Sequence, residues 1–397
     1  MITALREWIP GMSRVGAVPR PAYGLDGALL LAVAALACWG LVMVASASVA
    51  MSERATGVPF HFFYKQLCYI GLGLAAGATV FTVPMKSWEQ SGFFLLAFAL
   101  FLLMLVLIPG VGLKVNSARR WLNFEVFRLQ ASEPARLALV LYLAGYIVRR
   151  QAELQNSLRG LLKPLAWIGV ASVLLLAEPD FGATALLCTV TLMMLFLGGA
   201  RLLHLAVLTL GAAGAGAVLV MTAAYRMRRL LTFMNPWADI NNGGWQLAQS
   251  LIAVGRGEWF GVGLGNSVQK LLYLPEMHTD FIFAILAEEF GLLGIAVLLA
   301  LFGLLVWRGF VIGRAAERAQ RKFAAYVAYG ISAWLGLQAL LNMAVNMGLL
   351  PTKGLTLPLL SYGGSSLVTV CVMLALLLRV DYENRLDRAA SPAGGIR

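Results

Sequence analysis

Charge is what this sequence has least of. Only 13% of its 397 residues are Asp, Glu, Lys or Arg, while 60% are hydrophobic and the mean hydropathy is +0.79. A soluble domain carries about a quarter charged residues, so a water-soluble globule is excluded and a membrane protein is expected. Cysteine is scarce too. Cys38, Cys68, Cys188 and Cys371 all fall in apolar runs without a CxxC spacing, which excludes a disulfide framework or cysteine metal site and leaves small core residues. No stretch outside the apolar runs is long enough for an ordinary independent fold, and no internal repeat stands out. The glycine-rich GVGLGN at 261–266 lacks the Lys-Ser/Thr ending and strand-to-helix setting of a phosphate loop, so its glycines point to close backbone packing.

What is abundant is apolar runs of about 20 residues, the length that crosses a hydrocarbon core of roughly 30 Å. The expected spans are 27–49, 66–84, 91–109, 133–148, 164–178, 182–200, 203–224, 281–307, 323–348 and 364–380. The fold class is therefore an all-α polytopic integral membrane protein with about ten transmembrane helices. The fifth run is short and joins the sixth through EPDFG, as a tilted pair or a re-entrant hairpin would. Residues 1–24 carry Arg6, Arg14 and Arg20 and no apolar stretch. They read as a cytoplasmic segment ahead of an uncleaved start-transfer helix. Residues 25–380 are then the transmembrane domain and 381–397 a cytoplasmic tail, so that both termini are cytoplasmic. Extracytoplasmic loops are expected at about 110–132, 225–280 and 349–363, the large one between helices 7 and 8.

The outside loops carry cations against the positive-inside bias. Lys114, Arg119, Arg120, Arg128 and Arg136 lie in one segment, and Arg226, Arg228, Arg229, Arg256 and Lys270 in another. This suggests an anionic ligand on that face, a solvated loop binding headgroups being the plain alternative. SEPAR reads as a helix start, with Ser132 as N-cap, Glu133 near the positive dipole end and Pro134 in the first turn. PTKGLTLPLLSYGGS, at 351–365, breaks helix and fits a loop dipping back into the membrane. Lys353 is its only charge and is free to snorkel.

The stretch PEMHTDFIFAILAEEFG, at 275–291, sets Glu276, His278 and Asp280 at the mouth of an apolar helix and Glu288 and Glu289 inside it. Thr279 or Asp280 is expected to cap that helix. A carboxylate at the water-membrane boundary is also partly desolvated, which raises its pKa toward that of a general base. Glu288 and Glu289 lie about 12 Å deeper and point about 100° apart. As intramembrane ionisable groups they line a polar cavity or pair with basic groups. Asp180 in EPDFG is either a turn-former before Gly182 or, with Glu133 and Glu178, a further acid of a site.

The stretches KVNSARRW with QASEPAR, AEPDFGA, GGWQLAQSLIAVGRGEWFGVGLGNSVQKLLYLPEMHTDFIFAILAEEFG and NMGLLPTKGLTLPLLSYGGSS resemble the SEDS family (shape, elongation, division and sporulation) of bacterial peptidoglycan polymerases. They cover the chain from the first span to the last, and GNSVQKLLYLPEMHTDF is closer to the division branch than to the elongation branch. The family pattern often has QPSE followed by Lys where this chain has QASE and Arg136, a departure that keeps the charge.

The resemblance implies transfer of lipid-linked glycan onto lipid II with inversion, giving β-1,4 glycan strands and undecaprenyl pyrophosphate. The site would face the periplasm, in the bacterial inner membrane at the division septum. Asp280 corresponds to the essential aspartate, as general base or as ligand of a divalent cation (Mg or Mn), with no organic cofactor. Lys114, Arg119, Arg120, Lys270 and Lys353 are candidate pyrophosphate partners. Glu133, Asp180, His278 and Ser361 are further candidate substrate-binding residues, and Glu288 and Glu289 candidate cavity-lining ones. Implied partners are a class B penicillin-binding transpeptidase, divisome regulatory proteins and membrane lipids, and no nucleic acid. A lipid II flippase and a proton-coupled transporter relaying through Glu288 or Glu289 remain alternatives, although no matched pair of broken spans supports the transporter.

Overall fold

The computed structural model describes residues 24–115, 118–123, 128–222, 224–240 and 243–390. Nearly all of the expected N-terminal segment and the end of the expected tail lie outside the described residues. In an apolar setting a backbone must satisfy its own polar groups, so the hydrophobic runs become helices. In order these are α1 (Gly27–Thr56), α2 (His61–Thr82), the short α3 (Met85–Gln90) and α4 (Gly92–Leu107). A small antiparallel sheet follows, β1 (Gly112–Val115), β2 (Ala118–Asn123) and β3 (Arg128–Gln130), with strand order β1-β2-β3. Then come α5 (Ser132–Arg149), the short α6 (Gln151–Asn156), α7 (Leu158–Ala177), α8 (Phe181–Leu197), α9 (Leu202–Met221) and α10 (Ala224–Met234). After a 3-10 turn at Pro236–Asp239, α11 (Trp245–Arg256), α12 (Ile282–Arg318), α13 (Lys322–Asn346) and α14 (Gly364–Ala390) complete the chain.

Every span expected from hydropathy falls on one of these helices. Among the described residues, α1, α7, α9, α12, α13 and α14 are long and apolar enough to cross a membrane, and α4 and α8 are shorter apolar helices. α13 runs through the centre: 78% of its apolar window is buried, against 6% for α9, so α9 is an outlying element. The sheet adds strand structure to the segment read as a loop. It pairs Lys114 with Arg119 across β1 and β2 beside an irregularity between Leu113 and Lys114.

Both capping expectations fail. Ser132 is the first helical residue of α5, behind Ala131, and its buried hydroxyl has no partner. Glu133 does lie in the first turn. At α12 the cap position is Phe281, without a side-chain bond. A backbone turn in which Thr279 and Phe281 both donate to the Glu276 carbonyl carries the chain into the helix. Thr279 Oγ1 turns back to Glu276 as well, so neither Thr279 nor Asp280 caps. The expected eighth span is also interrupted, because Gly291 (φ 63°, ψ −159°) splits α12 into pieces at 282–290 and 292–318.

Candidate functional site

One end of the bundle collects β2, the EPDFG turn, the loop at 349–363 and the start of α12 around Asp280. The backbone rather than the side chain holds this residue. Its carbonyl accepts from Asn342 Nδ2 at 2.9 Å and from Asn346 Nδ2 at 3.0 Å. Asn342 also donates to the Leu355 carbonyl at 2.5 Å, and Gln338 to that of Thr356 at 2.9 Å. Gln338, Asn342 and Asn346 recur at i, i+4 on one face of α13, a row of amides that ties the Asp280 turn to the 349–363 loop. The loop approaches so closely that a Cβ on Gly354 would lie 2.8 Å from Asp280 Oδ2.

The Asp280 carboxylate itself has no hydrogen bond or ion pair among the described residues. It is only partly open to solvent. Burial raises its pKa to about 7, with the Glu276 and Asp180 charges adding to the rise and Arg120 opposing it. A carboxyl so placed exchanges a proton near neutral pH.

Arg120 reaches the EPDFG turn, donating from Nε to the Glu178 carbonyl at 2.9 Å and from Nη2 to the Pro179 carbonyl. Arg119 is its neighbour on β2, so the two side chains point to opposite faces of the sheet. Asp180 caps α8 by accepting from the Ala183 amide at 3.0 Å, the structural reading of that residue, and it also meets Gln130 Nε2 at 3.5 Å. Glu178 is fully buried, and among the described residues neither of its oxygens has a hydrogen-bond partner. Lys353 does not extend freely. Its ammonium lies 4.5 Å from the centre of the Phe181 ring, and burial lowers its pKa while Asp180 opposes that shift.

Other candidates lie outside this centre, on the sheet at its approach or inside the bundle. Lys114 is exposed on β1. Glu133 forms an ion pair with Arg136, whose fully buried guanidinium lies 4.9 Å from the Trp334 ring, so both charges are consumed inside the bundle. His278 is buried against Phe62 (4.8 Å) and Tyr362 (5.5 Å), and burial lowers its pKa. The proton of Ser361 is committed to the Thr279 carbonyl at 2.6 Å, and the hydroxyl accepts from the Leu357 amide at 2.7 Å. Ser361 thus joins two loops.

Lys270, expected among the pyrophosphate partners, instead meets Glu289 at 3.0 Å and Ser46 at 3.1 Å. Glu288 and Glu289 do not line an open cavity: they are 0% and 1% exposed. Glu288 accepts from Arg256 at 3.0 Å, from the Val268 amide at 3.1 Å and from Ser267. The reason is that the 256–270 loop folds onto α12 and uses both carboxylates as acceptors. The sequence reading missed Gln338, Asn342, Asn346 and Gly354, and it named Glu276 without giving it a role in the site. The i, i+4 amides in an otherwise apolar helix were the signal available. Among the described residues no three His, Cys, Asp or Glu side chains gather as metal ligands, so an ion at Asp280 would take most of its oxygens from elsewhere.

A helical bundle with a carboxylate unpaired among the described residues, and with cations at the same mouth, defines a polytopic membrane protein with a polar site at the bundle end. Residues 27–386 match the cell cycle protein family of FtsW, RodA and SpoVE. The chain is 56% identical to the probable peptidoglycan glycosyltransferase FtsW of Alkalilimnicola ehrlichii over 362 residues, 91% of this chain and 90% of that one. It is 51% identical to the probable peptidoglycan glycosyltransferase FtsW of Legionella pneumophila over 368 residues, 93% of each. Among solved structures, a chain from a peptidoglycan synthase complex that coordinates polymerization and crosslinking superposes with a TM-score of 0.75 at 28% identity, covering 91% of this chain and 98% of that chain. The rod shape determining protein RodA of Thermus thermophilus gives a TM-score of 0.69 at 28% identity, with the same coverage. The chain belongs to the FtsW, RodA and SpoVE family, the SEDS proteins that its motifs resemble.

Proposed function

We propose that this chain is the peptidoglycan glycosyltransferase of cell division, transferring lipid-linked glycan onto lipid II with inversion. The observation that carries the reading is the Asp280 carboxylate, held through its backbone, free of side-chain partners and raised to a pKa of about 7, in a chain whose relatives are named peptidoglycan glycosyltransferases.

The donor sugar is α-linked to pyrophosphate, and the 4-hydroxyl of lipid II attacks its anomeric carbon from the opposite face. The new bond is β-1,4 and undecaprenyl pyrophosphate leaves. The hydroxyl is a poor nucleophile near neutral pH, so Asp280 accepts its proton as the bond forms. A second carboxylate is not needed, because a single displacement inverts and pyrophosphate leaves without a proton. Arg120 and Lys353 supply positive charge toward the departing pyrophosphate, with Lys114 and Arg119 on the sheet at the approach. In the alternative role that the family resemblance implies, Asp280 would hold a divalent cation instead of taking the proton, and the cation would supply positive charge toward the pyrophosphate.

The cations of the sheet and of the 225–280 segment support an anionic substrate, and membership of a cell cycle protein family supports a periplasmic site in the inner membrane at the septum. The likeness to a chain of a synthase complex supports a class B transpeptidase as partner, with divisome regulators and membrane lipids around it. Glu288 and Glu289 are engaged by Arg256 and Lys270, and no observation favours the proton-relay alternative.

The test is polymerisation of purified lipid II by the purified chain in detergent with a divalent cation, alone and with the transpeptidase. Glycan polymer is the expected product. Transport that needs an imposed gradient, with no polymer under any of these conditions, would overturn the reading.

A further inference from the structure

The break at Gly291 leaves helix-end groups on both sides that need partners. The loop after α11 supplies them. The amides of Val262 and Gly263 donate to the carbonyls of Glu288 and Glu289, both at 3.0 Å. Across the break, Leu292 donates to the Glu258 carbonyl at 2.9 Å and Leu293 to that of Trp259 at 3.1 Å. Backbones cross this tightly only where no Cβ intervenes. A Cβ at Gly257 would collide with the Ala287 carbonyl, one at Gly261 with that of Glu289, and one at Gly291 with the Gly261 amide.

The side chains of Glu288 and Glu289 add a second layer of bonds. Glu288 holds Ser267, the Val268 amide and, at 3.4 Å, the Gln269 amide, with Arg256 closing over it. Glu289, turned about 100° away, holds Lys270 of the same loop and Ser46 of α1. The chain then runs from Lys270 through the Glu276 turn to Asp280 and returns along residues 282–287, each 0% exposed, to Glu288. Asp280 therefore sits on a closed excursion of backbone whose two ends are fastened together by these carboxylates.

We propose that Glu288 and Glu289 are positioning residues for Asp280, clamping the 256–270 loop over the broken helix and so fixing where the Asp280 carboxylate stands. The proposal rests on the assignment of Asp280 as the base.

The experiment uses the full chain carrying Glu288→Gln or Glu289→Gln, together with an exchanged pair, Lys270→Glu with Glu289→Lys. Gln keeps the size but removes the charge that holds Arg256 and Lys270. Amide hydrogen exchange is read at 258–263 and 292–293, and kcat and KM are measured with lipid II. Each Gln variant should exchange faster at these amides. Its kcat should fall about 100-fold, as for a reacting group displaced by about 1 Å, with KM changed less than about twofold. The exchanged pair should recover both exchange protection and kcat. Unchanged protection, or lost protection with an unchanged kcat, would overturn the clamp. Should the Gln variants fail to assemble, the exchanged pair decides: recovered protection supports the clamp and unrecovered protection refutes it. Asp280→Asn run in parallel separates the two assignments. Full activity there removes the base and the positioning role with it, whereas an inactive Asp280→Asn beside fully active Gln variants removes the clamp alone.

Discussion

Asp280 and the Glu288–Glu289 pair occupy one short stretch of chain in opposite surroundings. The first is partly open, with a carboxylate that bonds to nothing among the described residues, while the other two are closed from solvent, Glu288 held by Arg256, Ser267 and backbone amides and Glu289 held through one oxygen by Lys270 and Ser46. Breaking a buried ion pair leaves an uncompensated charge, so such groups resist change and serve structure. A carboxylate pinned only through its peptide carbonyl keeps both oxygens for a substrate. Partners, more than depth in the helix, separate the acid left open to a substrate from the acids engaged in structure.

The largest expected effect tests the reactive side of this contrast. Asp280→Asn should lower polymerisation by about 10²- to 10⁴-fold, the usual contribution of a general base, while thermal unfolding is unchanged because Asp280 neither caps α12 nor pairs. A rate near that of the unaltered chain would end its catalytic role. The holding side predicts the reverse pattern. Lys270→Ala strands Glu289 and should cost about 3 kcal/mol of stability, visible as a lower unfolding temperature in detergent. Stability equal to that of the unaltered chain would mean that the pair contributes nothing.

Smaller changes sharpen the comparison. Lys114→Gln should raise KM for the pyrophosphate-bearing substrate about tenfold, since charge-assisted hydrogen bonds are worth about 1.5–3 kcal/mol. Arg318→Gln, on an exposed residue at the far end of α12, should leave KM alone, and equal effects at both ends would indicate general lipid electrostatics. The smallest effect concerns pH. A base with a pKa of about 7 works in its deprotonated form, so the rate should rise with pH up to about 7 and then level. Glu276 raises that pKa, so Glu276→Gln should move the acid limb to lower pH by less than about one unit. A limb that stays in place would separate Glu276 from Asp280, and a rate flat across this range would remove Asp280 as the titrating group.

The helices were legible because each apolar run has one way to satisfy its backbone in lipid. Asp280 stood out as a carboxylate just ahead of an apolar helix, and GVGLGN as a place of close backbone packing, which Gly261 bears out against the Glu289 carbonyl while Gly263 and Gly265 have no backbone so near. The break at Gly291 was not legible, since hydrophobicity continues through it and a lone glycine in a helical run is usually tolerated. Nor were the failed caps at Ser132 and Asp280, because local side-chain chemistry lost to backbone turns set by the surrounding chain.

A membrane-embedded helical bundle, a carboxylate at a helix mouth and an excess of cations in the segments that flank it could be read from the sequence alone, because hydrophobicity, charge and motif are local properties of the chain. Only the tertiary structure decided which of those cations stands near Asp280. Arg120 is close enough to act on its charge and the Lys353–Gly354 loop packs against it, while Lys270, far nearer to Asp280 in sequence than either, is spent on Glu289. Pairing depends on where the 256–270 loop and β2 come to rest against α12, and contacts of that kind join residues whose separation along the chain carries no record of their distance in space.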